Sequence, residues 1–485
     1  MKRINCFVTY YNTDEVAQTV KWLSELPEVN HIYLISTDKQ AKVIAPAQVL
    51  YTKVLWGTET IRQIANLSDT EFSLFYTAPC ACQPGMFSLE RFMEIANDTE
   101  AGMIYSDYKK QIDGESIPHP VNQYLSGSLR DDFDFGPLII YRSTTLQLAA
   151  SAMGASYKHA GLYDLRLKIS QYKPITYINE FLYTVIDAEG QDSEKQIFDY
   201  VDPKNREIQI EMESACTDHL KKIGGYLTPK FKSIDFYAEE FENEATVIIP
   251  VRNRIKTIQD AIRSVLQQQT NFSYNLIVID NHSTDGTTEI LQQYAEDNLL
   301  THIIPERTDL GIGGCWNLGV HHPNCGKFAV QLDSDDMYSS EESLQKIIDA
   351  FYAQHCGMVV GTYMTTDFNL NMIHPGVIDH REWTPENGRN NALRINGFGA
   401  PRAFFTPILR KTNIPNTSYG EDYAIALRIS RDYQVGRVYD VIYWCRRWED
   451  NSDANLDIIK KNQNDFYKDS IRTWELKARL KRNKK

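Results

Sequence analysis

The sequence has no apolar run long enough to cross a membrane and no excess of basic residues. No segment reaches the roughly 20 consecutive apolar residues of a transmembrane helix. The Lys2-Arg3 pair is also not followed by the apolar stretch that a secretory signal would require. The net charge of −13 argues against nucleic acid as a partner, because binding phosphates needs a basic surface. These absences favour a cytoplasmic protein without a secretory signal.

Cysteine is scarce as well. The sequence has 8 cysteines, of which only Cys80 and Cys82 lie close together. A C-x-C pair alone is weak evidence for a metal site or a disulfide, so we expect reduced thiols. Hydrophobic residues make up 42% and charged residues 24%, as in folded domains, and 485 residues exceed one ordinary core. Two or more domains are therefore expected.

Two parts of the chain begin with the same order of strand, helix and strand. The predicted elements are strand 4–10, helix 15–26 and strand 31–36 in the first half, and strand 245–250, helix 257–268 and strand 274–280 in the second. Short β-branched runs joined by helices predict a parallel sheet covered by helices.

Further pairs of segments keep the same order and spacing in the two halves, which predicts a duplicated domain. The pairs are 72–76 with 328–332, 102–104 with 357–359, 135–136 with 398–399, and 163–170 with 423–430. The predicted fold class is α/β, with two Rossmann-like domains whose central sheets are mostly parallel. The expected ranges are 1–189 for the first domain, 190–240 for a partly helical connector, 241–455 for the second domain and 456–485 for a basic helical tail.

In the second half, three polar clusters each follow a predicted strand. They are Pro-Val-Arg-Asn at 250–253, Asp-Asn-His-Ser-Thr-Asp-Gly at 280–286 and Asp-Ser-Asp-Asp at 333–336. Ligands of open α/β sheets bind beyond the carboxyl ends of the strands, so we expect the clusters to meet at one edge.

The Asp-Ser-Asp-Asp cluster has the spacing of a cation site. Asp333 and Asp335 alternate along an extended segment, so both can face one ion. Carboxylates together with phosphate oxygens suit Mg2+ or Mn2+, which would neutralise a diphosphate leaving group. The alternative is an acidic surface turn.

The clusters belong to a longer ordered series. They are followed by Asn-Leu-Gly at 317–319, Gly-Glu-Asp-Tyr at 420–423 and Arg-Arg-Trp at 446–448. The whole series resembles the signature of family 2 glycosyltransferases and covers most of residues 244–455. This resemblance implies a GT-A fold, a nucleotide-diphosphate sugar donor with a UDP-sugar favoured, a divalent metal, and inversion at the anomeric carbon.

The resemblance assigns roles to the upstream positions. Pro250, Arg252 and Asp280 would line the nucleotide pocket. Asp333 would contact the nucleotide-sugar and also bind the metal, and Asp335 would be the principal metal ligand.

It also assigns roles to the downstream positions. Glu421 and Asp422 lie where the family keeps its catalytic base, usually the aspartate, which takes the proton of the attacking hydroxyl. The alternative is an acidic pair at a helix N-terminus. Arg446, Arg447 and Trp448 would bind the diphosphate or stack on a sugar ring, unless they are a structural strand end.

The first half lacks these carboxylates. Thr-Ala-Pro-Cys at 77–80 stands where the second half has Asp-Ser-Asp-Asp, and Gly161-Leu162 stands where it has Glu421-Asp422. We therefore expect a degenerate, non-catalytic copy that binds acceptor, mediates dimerisation or supports the second domain.

The sequence thus predicts an inverting, metal-dependent glycosyltransferase in polysaccharide or surface-glycan synthesis, with a glycan or lipid-linked acceptor. The alternatives are a non-catalytic carbohydrate- or nucleotide-binding scaffold and a sugar nucleotidyltransferase; the latter needs a glycine- and lysine-rich loop that residues 9–13 and 250–254 lack. The tail carries six Lys and Arg residues from Lys477 onward, with Leu476 and Leu480 between or beside them. A solvated helical end and contact with the inner, anionic face of a membrane are the two interpretations.

Overall fold

The apolar β-branched runs that begin at Ile4 and Ala245 each form the first strand of a separate sheet in a computed structural model of the chain. The structure describes residues 3–11, 13–186, 205–294, 298–448 and 456–484. The chain divides into two units. Of the described residues, the first unit contains those up to 186, 205–226 and 457–484, and the second contains 227–448 and 456.

The first unit is built from alternating strands and helices in its early part, with two long helices added later in the chain. Its elements are β1 (Ile4–Thr9), α1 (Thr13–Ser24), β2 (Val29–Ser36), β3 (Gln48–Tyr51), α2 (Thr58–Leu67), β4 (Phe72–Tyr76), β5 (Ala81–Pro84), α3 (Ser88–Asp98), β6 (Met103–Ile112), β7 (Glu115–His119), β8 (Leu138–Arg142), α4 (Ser143–Ala152), α5 (Gly161–Ile169), β9 (Ile175–Ile186), α6 (Arg206–Ile223) and, at the other end of the chain, α14 (Ile458–Asn483).

The second unit repeats this succession. Its elements are β10 (Ala245–Val251), α7 (Ile258–Leu266), β11 (Tyr274–Asp280), α8 (Thr287–Tyr294), β12 (Leu300–Ile303), α9 (Ile312–Val320), β13 (Phe328–Gln331), β14 (Met337–Tyr338), α10 (Ser343–Gln354), β15 (Met358–Thr366), β16 (Met372–Ile378), α11 (Gly388–Asn391), β17 (Arg402–Phe405), α12 (Thr406–Thr412), α13 (Glu421–Ser430) and β18 (Val435–Arg446).

The two sheets have the same strand order. The order is β3-β2-β1-β4-β8-β6-β9-β5 with β7 beside β6 in the first unit, and β12-β11-β10-β13-β17-β15-β18-β14 with β16 beside β15 in the second. In each sheet the first four strands of this order are parallel, and the central antiparallel strand, β8 or β17, separates them from another parallel pair. The predicted α/β class with mostly parallel sheets is confirmed, and the shared order is what an internal repeat predicts.

The structure places the predicted connector and tail differently from the sequence-based ranges. Residues 190–204 of the connector lie outside the described residues, but its helix, α6, belongs to the first unit. Glu211 on α6 accepts hydrogen bonds from the backbone N–H groups of His159 (2.7 Å) and Ala160 (3.1 Å) at the start of α5. These bonds satisfy helix-terminal donors that would otherwise lack partners, and they fix α6 against α5.

The tail helix α14 also packs within the first unit. Asp469, which is fully buried, lies 3.3 Å from Nε of Arg130 and 2.9 Å from Nη1 of Arg472. The backbone N–H of Gly127 donates to the hydroxyl of Thr473 (3.1 Å), and a Cβ at Gly127 would collide with the backbone of α14. Buried ion pairs and a close backbone approach therefore hold α14 as a core element rather than a free tail.

This packing bears on the predicted membrane contact. Leu476 is 2% exposed and Leu480 is half-buried, so the apolar residues of that hypothesis lie inside the first unit. Lys477 and Lys481 remain exposed, as in a solvated helical end. Within the described ranges, no helix is both long and apolar enough to span a bilayer. None of the eight cysteines forms a disulfide, in agreement with the expected thiols.

A buried histidine on α6 gives the first unit a pH-dependent stability. Burial lowers the pKa of His219 to about 4, and the neighbouring cations Lys168 and Arg166 act in the same direction. The unfolded chain, with a histidine pKa of about 6.5, binds more protons than the folded one between these values. The free energy of unfolding is therefore undiminished by His219 above pH 6.5, and it decreases as the pH falls from 6.5 toward 4 because the unfolded chain then binds the extra proton.

We expect His219→Gln to remove this dependence. Lowering the pH from 7 to 4 should cost the native protein up to about 3 kcal/mol more than the variant. Parallel thermal unfolding curves at the two pH values measure the difference, with the exposed His31→Gln as control. Equal pH slopes in the native protein and His219→Gln would show that His219 is not the group responsible.

Candidate active site

The three polar clusters of the second unit lie at one edge of its sheet. Strands β11, β10 and β13 are adjacent and parallel, so their carboxyl ends point to the same side. Pro250 lies in β10, Asp280 is the last residue of β11, and Asp333 comes two residues after β13. The structure thus brings together the clusters that the sequence placed at strand ends.

The Asp-Ser-Asp-Asp cluster is strongly acidic and largely enclosed. Burial raises the pKa of Asp333, and nearby Asp335 adds to this while Arg402 opposes it. Burial also holds the pKa of Asp336 well above its usual value, and Asp335 and Asp333 contribute. Asp336 is occupied structurally, because its Oδ1 accepts the backbone N–H of Arg446 (2.8 Å). Repulsion among three carboxylates is the condition that a bound cation relieves.

Asp335 is the carboxylate of this cluster that faces the cationic and aromatic side of the site. Its Oδ2 accepts a hydrogen bond from the indole Nε1 of Trp448 (3.2 Å) and lies 3.8 Å from Nε of Arg254. The guanidinium of Arg254 also lies 5.5 Å from the ring centroid of Trp448. Arg446 donates to the backbone carbonyl of Asp335 (2.6 Å) and pairs with Asp260 (2.7 Å). Arg446 therefore fixes the loop, and Trp448 fixes the Asp335 side chain.

A chain of hydrogen bonds joins the acidic cluster to Asp422. Nε2 of Gln331 donates to Asp333 (2.9 Å), and Oε1 of the same amide accepts from Nε of Arg402 (2.6 Å). Nη1 of Arg402 then donates to Oδ2 of Asp422 (2.7 Å). Gln331 ends β13 and Arg402 begins β17, and the antiparallel pairing of these strands places the two side by side. The site is thus one connected network.

Glu421 and Asp422 begin α13 but have different environments. Glu421 is 9% exposed, and burial together with the charge of Asp422 raises its pKa to about 8. Its Oε2 has no hydrogen-bond partner within the part of the chain that the structure describes. Asp422 is more exposed, at 25% for its side chain, and is held by Arg402. At neutral pH, Glu421 is therefore mainly protonated and is a poor proton acceptor.

The residues predicted to line a nucleotide pocket are placed unequally. Pro250 is half-buried and Arg252 is exposed at the same edge. Asp280 is fully buried and accepts hydrogen bonds from Ser283 N–H (3.0 Å) and the Thr288 hydroxyl (2.5 Å). Burial alone would raise the pKa of Asp280, but His302, whose Nε2 lies 3.5 Å from Oδ2, and hydrogen bonds from Thr288 and Ser283 hold it well below its usual value. Asp280 therefore organises the loop after β11.

Asn281, beside Asp280, offers an acceptor that the sequence did not single out. Its Nδ2 donates to the carbonyl of Leu310 (2.8 Å), whereas its buried Oδ1 has no partner among the described residues. Because the Nδ2 end of the amide is fixed by this hydrogen bond, its Oδ1 is positioned to accept a hydrogen bond from an N–H of a ligand.

The Arg-Arg-Trp segment divides into three roles. Arg446 is buried in the structural contacts given above, and Trp448 contacts Asp335. The backbone N–H of Arg447 donates to the carbonyl of Thr366 (2.9 Å) and so continues the hydrogen bonding of the sheet. The Arg447 side chain is half-buried. Trp448 also meets Phe368 edge to face, with ring centroids 5.4 Å apart.

Sequence reasoning missed Gln331, Arg402 and Arg254 as members of the site. Gln331 lies in the repeated segment 328–332, which carries no polar motif, and Arg402 lies in a strand without any motif. Arg254 directly follows the Pro-Val-Arg-Asn cluster. A second arginine so close to Arg252 was the one sequence signal that could have identified it.

The donor set fits a divalent cation that is shared with a ligand. No group of three or more His, Cys, Asp or Glu side chains in the described ranges is arranged to hold a metal alone. Mg2+ and Mn2+ bind through one or two carboxylates when substrate phosphates supply the remaining oxygens. Asp335, 14% exposed in its side chain, with Asp333 beside it, meets that requirement.

Comparison with known proteins finds a family-model match within this α/β domain. Residues 246–408 match the family model described as glycosyl transferase family 2. The chain therefore carries a glycosyl transferase family 2 domain, which the second unit contains.

Curated relatives match over limited segments. An uncharacterized glycosyltransferase of Rickettsia conorii is 28% identical over 199 residues, which cover 37% of this chain and 32% of the relative. Glycosyltransferase AglE of Haloferax volcanii is 38% identical over 93 residues, covering 19% of this chain and 30% of AglE. The chain thus spans about a third of the length of these relatives.

Solved structures show weaker similarity. TarS 1–349 of S. aureus in complex with UDP-GlcNAc is 18% identical with a TM-score of 0.39, covering 49% of this chain and 70% of that one. Mannosyltransferase PcManGT of Pyrobaculum calidifontis, in complex with GDP-Man and Mn2+, is 16% identical with a TM-score of 0.35, covering 59% and 86%. Both similarities are too weak to support a comparison of the sites.

Proposed function

We propose that the second unit transfers a sugar from a nucleotide-diphosphate sugar to an acceptor hydroxyl, with inversion at the anomeric carbon and dependence on a divalent metal. The observation that carries the proposal is the network Asp333–Gln331–Arg402–Asp422. This network connects Asp333, the carboxylate of the predicted donor site, with Asp422, the predicted base. Asp335 lies two residues after Asp333 in the chain. A transferase needs both groups at one reaction centre.

Asp335, with Asp333 beside it, would hold the metal. When bound, Mg2+ or Mn2+ acts as a Lewis acid that stabilises the negative charge on the departing diphosphate. Arg254 stands 3.8 Å from Asp335 and provides a further cation for the phosphates. Pro250, Arg252 and Asn281 border the nucleotide side, and Arg447 and Trp448 border the diphosphate and sugar.

Asp422 is the residue that we assign as the base. An inverting transfer requires one carboxylate to take the acceptor proton as the hydroxyl attacks. Glu421, with a pKa of about 8, holds its own proton at pH 7. Arg402 orients Asp422 by holding one oxygen, Oδ2, at 2.7 Å.

The first unit would not catalyse metal-dependent transfer. Residues 77–80 and Leu162 replace the carboxylates of the second unit at the corresponding places in the sheet order. We favour a UDP-sugar as donor and a glycan or lipid-linked acceptor, in polysaccharide or surface-glycan synthesis.

Thermal shifts of the intact chain test the donor class. We expect one of UDP, GDP, CDP and dTDP, with UDP first, to raise the unfolding temperature only when Mn2+ is present. A positive nucleotide is then tested as its diphosphate-sugar for release of nucleoside diphosphate. The proposal fails if no nucleotide shifts the transition with or without metal.

A further inference from the structure

The first unit contains a cavity of about 680 Å³. Its wall includes Thr77 to Cys80, which follow β4, and Leu162 at the start of α5. In the shared strand order, these positions correspond to 333–336 after β13 and to Asp422 in α13. The cavity therefore lies where the second unit has its acidic network.

A buried arginine lines this cavity. Arg166 on α5 is 4% exposed, and its Nη2 donates to the backbone carbonyl of Arg130. Its Nε and Nη1 are buried and have no hydrogen-bond partner among the described residues, and no carboxylate in those ranges pairs with it. The corresponding position in the repeated segment of the second unit is Ala426. The first unit thus has a cation where the second has none, and lacks the carboxylates that the second has.

The surroundings of Arg166 do not satisfy its charge. The guanidinium carbon lies over the rings of Tyr163 (4.7 Å), Phe135 (5.1 Å) and Phe133 (5.8 Å), which offset part of the cost of burial. Ring faces accept no strong hydrogen bond, however, and buried guanidinium donors without partners are costly. An anion in the cavity would accept bonds from both nitrogens, in the geometry that arginine offers to carboxylate and phosphate.

The rest of the wall suits a sugar ring. Tyr108, Tyr141 and Phe133 give aromatic surface, Lys110 adds a second cation, and Asp131 is one of the two carboxylates of the wall. Another carboxylate of the wall, Asp134, is occupied by His119 (3.0 Å) and Gly136 N–H (2.7 Å). The ends of β1 and β2, where a nucleoside would lie, are not part of the wall.

We propose that this cavity binds an anionic sugar, whose carboxylate or phosphate accepts hydrogen bonds from Nε and Nη1 of Arg166 while the ring packs against the aromatic wall. The volume lies within the range of small-molecule sites. The proposal does not depend on transfer activity in the second unit.

Protection of Cys80 from alkylation tests the proposal. Cys80 lines the cavity and is partly exposed, whereas six of the other seven cysteines are buried. Alkylation of the full chain is followed by mass spectrometry of the Cys80 peptide, without nucleotide or metal. The probes are glucuronic acid, glucose 1-phosphate, glucose and inorganic phosphate. We expect glucuronic acid or glucose 1-phosphate, whichever matches the natural anion, to slow the reaction, and glucose to have little effect.

Variants connect the protection with Arg166. Arg166→Lys keeps a cation but loses the planar pair of N–H donors of the guanidinium. It should raise the concentration of the sugar anion that gives half protection about tenfold or more. Leu162→Trp, which narrows the cavity without changing Arg166, should weaken protection as well. Lys109→Met removes an exposed cation on the same strand as Lys110 and should have no effect.

Three results would overturn the proposal. Equal protection by glucose would indicate a site for neutral sugars. Protection by inorganic phosphate equal to that by the sugar anions would indicate an anion site without sugar recognition. Absence of protection by all four probes would show that the cavity is not a site for this class of ligand. None of these three results would contradict the proposed function of the second unit, which is tested separately by nucleotide-induced stabilisation.

Discussion

Asp335→Asn is expected to abolish the Mn2+-dependent stabilisation by nucleotide and to lower turnover by about a hundredfold or more. The substitution removes the negative charge that the cation needs, whereas the amide oxygen can still accept from Nε1 of Trp448, which now lies 3.2 Å from Asp335 Oδ2. The fold should therefore survive. Thermal shift with UDP and Mn2+, together with initial rates of nucleoside diphosphate release, measures both effects.

Asp349→Asn is the matched control for this variant. Asp349 is an exposed carboxylate on α10 in the same unit, and its substitution changes the net charge equally. It should leave the nucleotide shift and the turnover unchanged. Normal turnover in Asp335→Asn would exclude Asp335 as the principal metal ligand.

Asp422→Asn is expected to cut turnover by about a hundredfold or more while donor affinity stays nearly unchanged. The base acts on the acceptor hydroxyl, so its loss affects the chemical step rather than nucleotide binding. Arg402 loses its carboxylate partner but keeps Gln331 (2.6 Å) and the carbonyl of Gly399 (2.8 Å). Initial rates over a range of donor concentrations separate kcat from KM.

Glu421→Gln distinguishes the two neighbouring acids. Because a pKa of about 8 keeps Glu421 mainly protonated at pH 7, glutamine resembles its working form. The variant should retain most of the turnover at pH 7. A loss in Glu421→Gln as large as in Asp422→Asn would move the base to Glu421, and weaker donor binding with normal turnover in Asp422→Asn would indicate a structural role for Asp422.

The strands that carry the site could be predicted closely. The run from Tyr274 to Asp280 is both the predicted strand and the observed β11, and the predicted helix at 257–268 contains α7 (Ile258–Leu266). Each signal is local, because a short apolar β-branched run bounded by polar turns indicates a buried strand. The position of Asp333 just after such a strand followed from the same signal.

The partners of the acidic residues could not be predicted in this way. Gln331 and Arg402 are 71 positions apart and meet because β13 and β17 pair in antiparallel register. No periodicity in either strand indicates that pairing. Glu421 and Asp422 are neighbours with similar chemistry, and only their unequal burial separates a protonated acid from the assigned base.

The sequence by itself determined the alternation of strands and helices, the repeated order of segments and the carboxylates at the strand ends, because these depend on residues close together in the chain. Only the tertiary structure decided that α14 packs in the first unit, where Asp469 meets Arg130 across 339 positions. It also decided that a cavity with a buried arginine replaces the acidic network there. Both depend on which distant surfaces exclude water together, and a buried charge finds its partner only after that packing is complete.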